Sequence, residues 1–295
     1  MSDLSCFLLC IIRIAYKNIS PGKRACSTGK NLLLSLKRSV MKIALIQMDV
    51  AWESKKTNYA RAEKFFRKAA RESCDLIVFP EMFNTGFSMN ISAIAEDENG
   101  ETSRTLSALA KKYRLNVIAG FAAKAPGRKK AKNLAVVFDR RGAIIAKYSK
   151  MHPFSFAKED QYFAAGNTQV IFHIEGIPLS VFICYDLRFP EIFRDIARGV
   201  QAIIVLANWP SSRKDHWETL LKARAIENQC FVIGVNRTGK DGNGIRYSGS
   251  SHVFNPLGED ICAGGSRGQF ISCEIDPETV FKVRSQFPFL DDIRP

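Results

Sequence analysis

Three residues stand where strand-like runs end and carry side chains that a purely structural strand end does not need. Glu81 follows Leu-Ile-Val-Phe-Pro, Lys150 follows Ile-Ile-Ala-Lys-Tyr-Ser, and Cys184 follows Leu-Ser-Val-Phe-Ile. Their spacings of 69 and 34 residues mean that only a tertiary fold could bring them together. Strand ends are where α/β proteins place chemistry, because loops there can diverge while the sheet holds their roots. A thiol is a good nucleophile once it is a thiolate, and a nearby ammonium lowers its pKa. A carboxylate beside it can take the thiol proton and pass it to a leaving amine, and the same ammonium can stabilise an oxyanion. Taken singly, each residue has an ordinary reading: Glu81 as an acid at a helix start, Lys150 as a surface lysine, Cys184 as one more buried thiol. A Cys–His pair is the competing arrangement, and His152, His173, His216 and His252 stay open as its partner.

The elements that must position these residues begin at Met41. Lys42–Met48 reads as a buried strand, and Tyr59, Ala62, Phe66 and Ala69 recur at the spacing of a helix over Lys55–Arg71. Asp75–Phe79 is a second strand stopped by Pro80, a shorter helix carries Leu106, Leu109 and Tyr113, and Asn116–Ala123 is a third strand. Leu134–Phe138 and Ala143–Tyr148 flank a turn at Asp-Arg-Arg-Gly. Val170–Ile174 and Leu179–Ile183 flank another at Glu-Gly-Ile-Pro. Glu191–Arg198 reads as a helix capped by Gly199. Strand Ala202–Leu206, helix Lys214–Asn228 and strand Phe231–Val235 follow, and Ser250–Phe254 and Gln269–Ile275 close the sheets around an Asn-Pro-Leu-Gly turn. Strand–helix alternation with inserted hairpins predicts a single α/β domain over residues 41–295 with mixed sheets. Two sheets packed face to face under outer helices would bury this many apolar strands, although the pattern alone does not force that layer order.

Composition narrows the class. The 295 residues are 46% hydrophobic and 24% charged, with 19 Gly, 11 Pro and 8 Cys, which excludes disordered, collagen-like and disulfide-scaffold proteins. The apolar runs near the N-terminus are too short to span a bilayer as a helix. The net charge is +14, of which +6 falls in the first 40 residues. No recognition-helix, zinc-finger or arginine–aromatic pattern accompanies it, so a solvated basic surface is favoured over nucleic-acid binding. Cys74, Cys184, Cys230, Cys262 and Cys273 form no C-x-x-C pair, which argues against a metal site and for a reducing compartment, the cytoplasm. Residues 1–40, with Cys6, Cys10 and Cys26, read as a separate extension: upstream sequence before a start at Met41, then a transit-like segment, then a secretory signal in order of preference.

Phe-Pro-Glu81-Met-Phe, Lys150-Met-His-Pro-Phe and Ile-Cys184-Tyr-Asp-Leu-Arg-Phe-Pro-Glu resemble the three signature segments of the nitrilase, or carbon–nitrogen hydrolase, superfamily. The resemblance runs from about Met41 to near the C-terminus. It implies a four-layer αββα sandwich with two mixed β-sheets, commonly paired into a homodimer, and a Glu–Lys–Cys mechanism with no metal and no organic cofactor. Carried onto this chain, it makes Glu81 the general base and acid, Lys150 the cationic stabiliser, Cys184 the nucleophile that forms a thioester, and the Tyr185 N–H part of the oxyanion hole. Glu159 sits where the family often has a second active-site glutamate; its ordinary reading is a surface loop acid.

Met-Phe-Asn-Thr-Gly-Phe-Ser-Met after Glu81, Asn208-Trp-Pro-Ser-Ser-Arg213 and Val-Asn-Arg237-Thr-Gly look like the ω-amidase group. That implies hydrolysis of the terminal amide of 2-oxo acid monoamides such as 2-oxoglutaramate. A substrate carboxylate wants an arginine. Arg213 and Arg237 are the candidates, while Arg188 reads as an ion-pair partner of Glu191. Phe83 and Trp209 would wall the pocket, and Asn208 completes the expected substrate-binding set. The enzymatic alternative is an N-carbamoyl amine hydrolase; the non-enzymatic one is a basic nucleic-acid or membrane-surface binder driven by residues 1–40.

Overall fold

Strand β1 (Met41–Gln47) is buried on both faces, and its two faces go to different places. Ile43 and Leu45 join one apolar cluster, Ala44 and Ile46 another, as the two-residue period of a strand requires. The computed structural model, which describes residues 40–125, 127 and 129–294, shows what covers each face. Expectations for residues 1–39 lie outside the described residues.

After β1 the chain forms α1 (Lys55–Arg71), β2 (Leu76–Val78), the one-turn α2 (Ile91–Ile94), α3 (Glu101–Tyr113), β3 (Asn116–Lys124), β4 (Ala131–Phe138) and β5 (Ile144–Ser149). It continues through α4 (Glu159–Tyr162), β6 (Phe172–Ile174), β7 (Ile177–Ile183), α5 (Pro190–Arg194), β8 (Ala202–Ala207), α6 (Lys214–Asn228) and β9 (Phe231–Asn236). The hairpin β10 (Thr238–Lys240) and β11 (Arg246–Ser248) precedes β12 (His252–Phe254), β13 (Asp260–Ala263), β14 (Gln269–Ile275) and α7 (Glu278–Gln286).

Two six-stranded sheets result, ordered β14-β1-β2-β3-β4-β5 and β13-β12-β9-β8-β7-β6. Each has a parallel centre, β1-β2-β3 in one and β7-β8-β9 in the other, flanked by antiparallel strands. Ile43, Leu45, Val78, Ile118 and Val137 of the first sheet share one core with residues of the second. The opposite face, with Ala44, Ile46, Ile77, Val117 and Phe121, packs on Ala62 and Phe66 of α1 and Leu106 of α3. Helices α5 and α6 supply Phe193, Trp217, Leu221 and Ala225 to the second sheet. The layers are therefore helix, sheet, sheet, helix, the αββα sandwich that the resemblance implied. Among the described residues, no helix is long and apolar enough to cross a membrane.

The sequence-based boundaries need four corrections. The turn between β6 and β7 is the two-residue Glu175-Gly176, both in the left-handed region, so Ile177 and Pro178 already belong to β7. The helix expected to run to Arg198 is α-helical only over Pro190–Arg194 and ends in a 3-10 turn, Ala197–Gly199. The Asn255–Gly258 turn joins β12 to β13, and β14 crosses to the other sheet and pairs with β1. The short β10–β11 hairpin and α7 were not foreseen, because three-residue strands and a weakly amphipathic helix leave little periodic signal.

One glycine connects sheet packing to the strand-end glutamate. A Cβ on Gly120 of β3 would stand 2.9 Å from the Glu81 Cα and 3.0 Å from the Met82 N, both backbone atoms that have nowhere to move. Gly120→Ala is expected to cost about 1–3 kcal/mol of stability through overpacking. It should lower turnover by more than that loss explains, because it displaces Glu81 directly. Thermal melting alongside kcat measurement checks this; unchanged kcat in the folded variant would contradict it.

Candidate active site

Each strand-end residue leaves its strand through a bent backbone. Glu81 lies three residues past β2, and the next residue, Met82, has φ +43°. The bend is closed by the Phe83 N–H donating to the Gly120 carbonyl at 3.0 Å. Lys150 follows β5; its N–H donates to the Asn133 carbonyl at 2.9 Å and its own carbonyl accepts from Gly166 at 2.8 Å. Cys184 follows β7 at φ +47°, a left-handed conformation that costs a non-glycine residue of order 1–3 kcal/mol.

Asp186 stabilises that strained bend. Its buried carboxylate accepts from the Ile183 N–H at 3.1 Å and the Tyr148 hydroxyl at 2.7 Å, and also from the His152 N–H at 2.9 Å. The bend that carries the thiol is thus tied to the segment that carries Lys150. Asp186 lies inside the quoted Cys-Tyr-Asp segment, yet nothing in its local sequence distinguishes it from a surface turn acid.

Glu81, Lys150 and Glu159 form one buried charge cluster. The Lys150 Nζ donates to Glu81 Oε1 at 3.1 Å and to Glu159 Oε2 at 2.8 Å. Side-chain exposure is 0–1% for all three, so neither pair is screened by solvent. Glu159 is therefore no surface loop acid. It opens α4, and its Oε2 also accepts from the Phe154 N–H at 2.6 Å. The Asn133 side-chain amide donates to Glu81 Oε1 at 2.7 Å and to Glu159 Oε1 at 2.9 Å. Sequence reasoning passed over Asn133; its one signal is a polar residue within the apolar run of β4.

Asn208, at the end of β8, completes the Glu81 environment. Its backbone N–H donates to Glu81 Oε2 at 2.9 Å and its side-chain amide to the Glu81 carbonyl at 2.7 Å. It borders the cavity as expected, but its amide is spent on Glu81.

These contacts set the proton affinities. Burial alone would lower Lys150, but the charges of Glu159 and Glu81 outweigh it and hold the ammonium above its ordinary range. Glu159 is pushed above the usual carboxylate range by burial and by Glu81, against the pull of Lys150. Cys184 is raised well above an ordinary thiol by burial and by Glu81, with Lys150 and the Asn208 N–H acting the other way. Ionising a thiol raised in this way calls for a proton acceptor beside it.

A cavity of about 380 Å³ opens above Cys184 and Lys150. Asn208, Trp209 and Arg213, three of the expected substrate-binding residues, line it together with Tyr185, Phe87, Phe154, Phe156, Arg188, Asp241 and Tyr247. Three expectations fail. Phe83 is not a wall: its ring packs 5.0 Å from Phe79 in the outer core of the first sheet, because its N–H is fixed to Gly120. Arg237 is fully buried and turned away, donating to Asp49 at 3.3 Å, Val50 at 3.1 Å and Thr238 at 3.0 Å. Arg188 has no ion pair with Glu191; α5 starts at Pro190, after Arg188, so the two never share a helical face. Its guanidinium instead lies 4.9 Å over the Trp209 ring and 3.2 Å from His216 Nδ1.

None of the four histidines borders the cavity. His152 is held by Asp186, His252 by Asp260 and Glu218, His216 by Arg188, and His173 sits in β6 opposite Pro178. The thiol has a carboxylate and an ammonium for company.

Comparison with known proteins follows the same lines. The family model described as carbon-nitrogen hydrolase matches residues 42–285. The 2-oxoglutaramate amidase of Bacillus subtilis (strain 168) is 35% identical over 256 residues, covering 85% of this chain and 97% of that protein. Omega-amidase YafV of Escherichia coli (strain K12) is 35% identical over 257 residues, covering 85% and 96%. Among solved structures, a CN-hydrolase superfamily protein from Xanthomonas campestris with an arsenic adduct in its active site matches at TM-score 0.82 and 32% identity, covering 87% of this chain and 98% of that one.

Lys150→Met leaves two buried carboxylates without their cation, a loss expected to cost about 3–5 kcal/mol. Because Glu159 is held above its ordinary value, the folded state keeps that proton to higher pH than the unfolded chain does. Its contribution to stability is therefore present at low pH and falls as pH rises through the folded value. Lys150→Met should enlarge this dependence, melting at a higher temperature at pH 5 than at pH 8. Adding Glu159→Gln should flatten it. Melting curves of the single and double variants across that range check both.

Proposed function

The chain belongs to the carbon–nitrogen hydrolase family, and from that premise we propose that it works as an ω-amidase through a thioester on Cys184. It is a hydrolase of carbon–nitrogen bonds in linear amides. Its proposed substrates are the monoamides of 2-oxo dicarboxylic acids, 2-oxoglutaramate and 2-oxosuccinamate, cleaved to the dicarboxylate and ammonia. The observation that carries the reading is a cavity lined by Cys184 and by Lys150, itself paired with Glu81, whose lining also includes two arginines free of carboxylate partners among the described residues.

In the proposed mechanism Glu81 takes the Cys184 proton as sulfur attacks the amide carbon. The carbonyl electron pair moves to oxygen, where Lys150 and the Tyr185 N–H stabilise it. Collapse breaks the carbon–nitrogen bond, and Glu81 returns its proton to the leaving ammonia. A water molecule, deprotonated by Glu81, then attacks the thioester and restores the thiol. Glu81 suits this work because its Oε2 faces the Asn208 N–H, which also acts on the Cys184 sulfur. Glu159 is the second carboxylate on Lys150 and helps to keep the ammonium charged.

At the other end of the substrate, Arg188 and Arg213 would receive the 2-oxo carboxylate. Each is backed by an aromatic ring, Arg188 by Trp209 at 4.9 Å and Arg213 by Phe154 at 5.6 Å. We assign catalysis to residues 41–295 and regard residues 1–40 as dispensable for it. The reducing cytoplasm suits a free Cys184. A homodimer is supported by Phe281 and Phe289, large apolar side chains left 55% and 63% exposed near the C-terminus.

Ammonia release from 2-oxoglutaramate, 2-oxosuccinamate, glutamine, an N-carbamoyl amine and a nitrile tests the reading. Fast turnover of the 2-oxo amides, abolished in Cys184→Ala, is expected; turnover confined to another compound overturns the substrate assignment. Arg188→Ala should lower kcat/KM for 2-oxoglutaramate roughly ten- to hundredfold, the size of one lost charge-assisted hydrogen bond. It should affect a small uncharged amide far less.

A further inference from the structure

Glu81 and Glu159 are two buried carboxylates sharing one lysine. Two ionised carboxylates on one ammonium would leave a negative charge uncompensated, which buried groups this close do not readily sustain. Lys150 alone cannot hold both in the charged form on equal terms, since it approaches one at 2.8 Å and the other at 3.1 Å.

We propose that Asn133 is a positioning residue that keeps Glu81 available as a base, by donating one side-chain N–H to each of the two glutamates. Its Nδ2 lies 2.7 Å from Glu81 Oε1 and 2.9 Å from Glu159 Oε1. The amide bridges the same two carboxylates as Lys150, but as a neutral dipole that adds no charge. Asn133 is buried, and its backbone carbonyl receives the Lys150 N–H at 2.9 Å, so strand pairing fixes the amide beside the lysine.

Its Oδ1 is buried and accepts no hydrogen bond among the described residues. That orphan atom has a physical reason. Flipping the amide would set Oδ1 against both carboxylates, so the side chain accepts one unsatisfied oxygen in exchange for two charge-assisted donations. Asparagine fits this requirement because it has two N–H groups on one atom and no charge; aspartate would add a third anion, and serine has a single donor.

The groups that face Glu81 are Lys150 after β5, Glu159 at the start of α4 and Cys184 after β7. Removing the two donations destabilises the charged carboxylates, so the pair retains a proton to higher pH. Below that pH Glu81 cannot accept the thiol proton. The signature is therefore a displaced acid limb, which general loosening of the site would not produce.

The proposal rests on the assignment of Glu81 as the base for Cys184. Asn133→Leu and Asn133→Ser are compared with the native chain by two readouts across pH: kcat/KM for 2-oxoglutaramate, and the rate of Cys184 alkylation by iodoacetamide, which needs no substrate. Expected is an acid limb moved upward by about one pH unit or more in Asn133→Leu and by less in Asn133→Ser, in both readouts. A folded variant with a uniformly lower rate and an unmoved limb overturns the proposal, and Asn133→Ser alone decides if the leucine variant does not fold. If 2-oxoglutaramate proves not to be a substrate, the alkylation profile still decides the role of Asn133.

Discussion

A lysine ammonium between two carboxylates, all three almost wholly buried, is costly to bury and tolerable when every partner stays in place. Much of this structure serves that requirement. Glu81 has its oxygens filled by Lys150, Asn133 and Asn208, Glu159 by Lys150, Asn133 and the Phe154 N–H. Losing any one donor leaves charge exposed to a medium that cannot solvate it. The cluster therefore constrains the ends of β2, β4, β5, β8 and the start of α4 at once.

The groups of the site come from both halves of the sandwich. Glu81, Asn133 and Lys150 belong to the first sheet and the loops leaving it, while Cys184 and Asn208 end strands of the second. The site lies on the seam between sheets, so the apolar core they share also sets the distance between nucleophile and base. Asp186 reinforces that seam. It binds the bend at Cys184 to Tyr148 and His152 on the lysine side, and it supports a left-handed cysteine that would otherwise relax. A side chain held off its preferred backbone conformation in this way is presented to the cavity instead of to the core.

Elsewhere on the cavity wall the logic changes from burial to presentation. Arg188 and Arg213 each lie over an aromatic ring, which restricts a long flexible side chain without neutralising it. Arg237 shows the opposite case: an arginine in a loop after a strand, equally attractive by sequence, whose guanidinium is buried and donates to Asp49 and two carbonyls. The Phe83 and Phe87 pair repeats the contrast, one in the core and the other on the cavity wall, four residues apart.

The sequence made most of the strands, the longer helices and the motif residues Glu81, Lys150 and Cys184 legible, because strand burial and helical periodicity are local and three spaced motifs survive as a pattern. It also located Glu159, Trp209 and Arg213. It did not reveal that Asn133 and Asp186 serve the site, since a single asparagine in a strand or an aspartate in a turn has no periodic or compositional mark. It misread Phe83, Arg188 and Arg237 because what a long side chain touches depends on which strand lies beside it. Partners up to 188 residues away, as for Asp49 and Arg237, are decided by the stacking of two sheets, and that is long-range geometry no local pattern encodes.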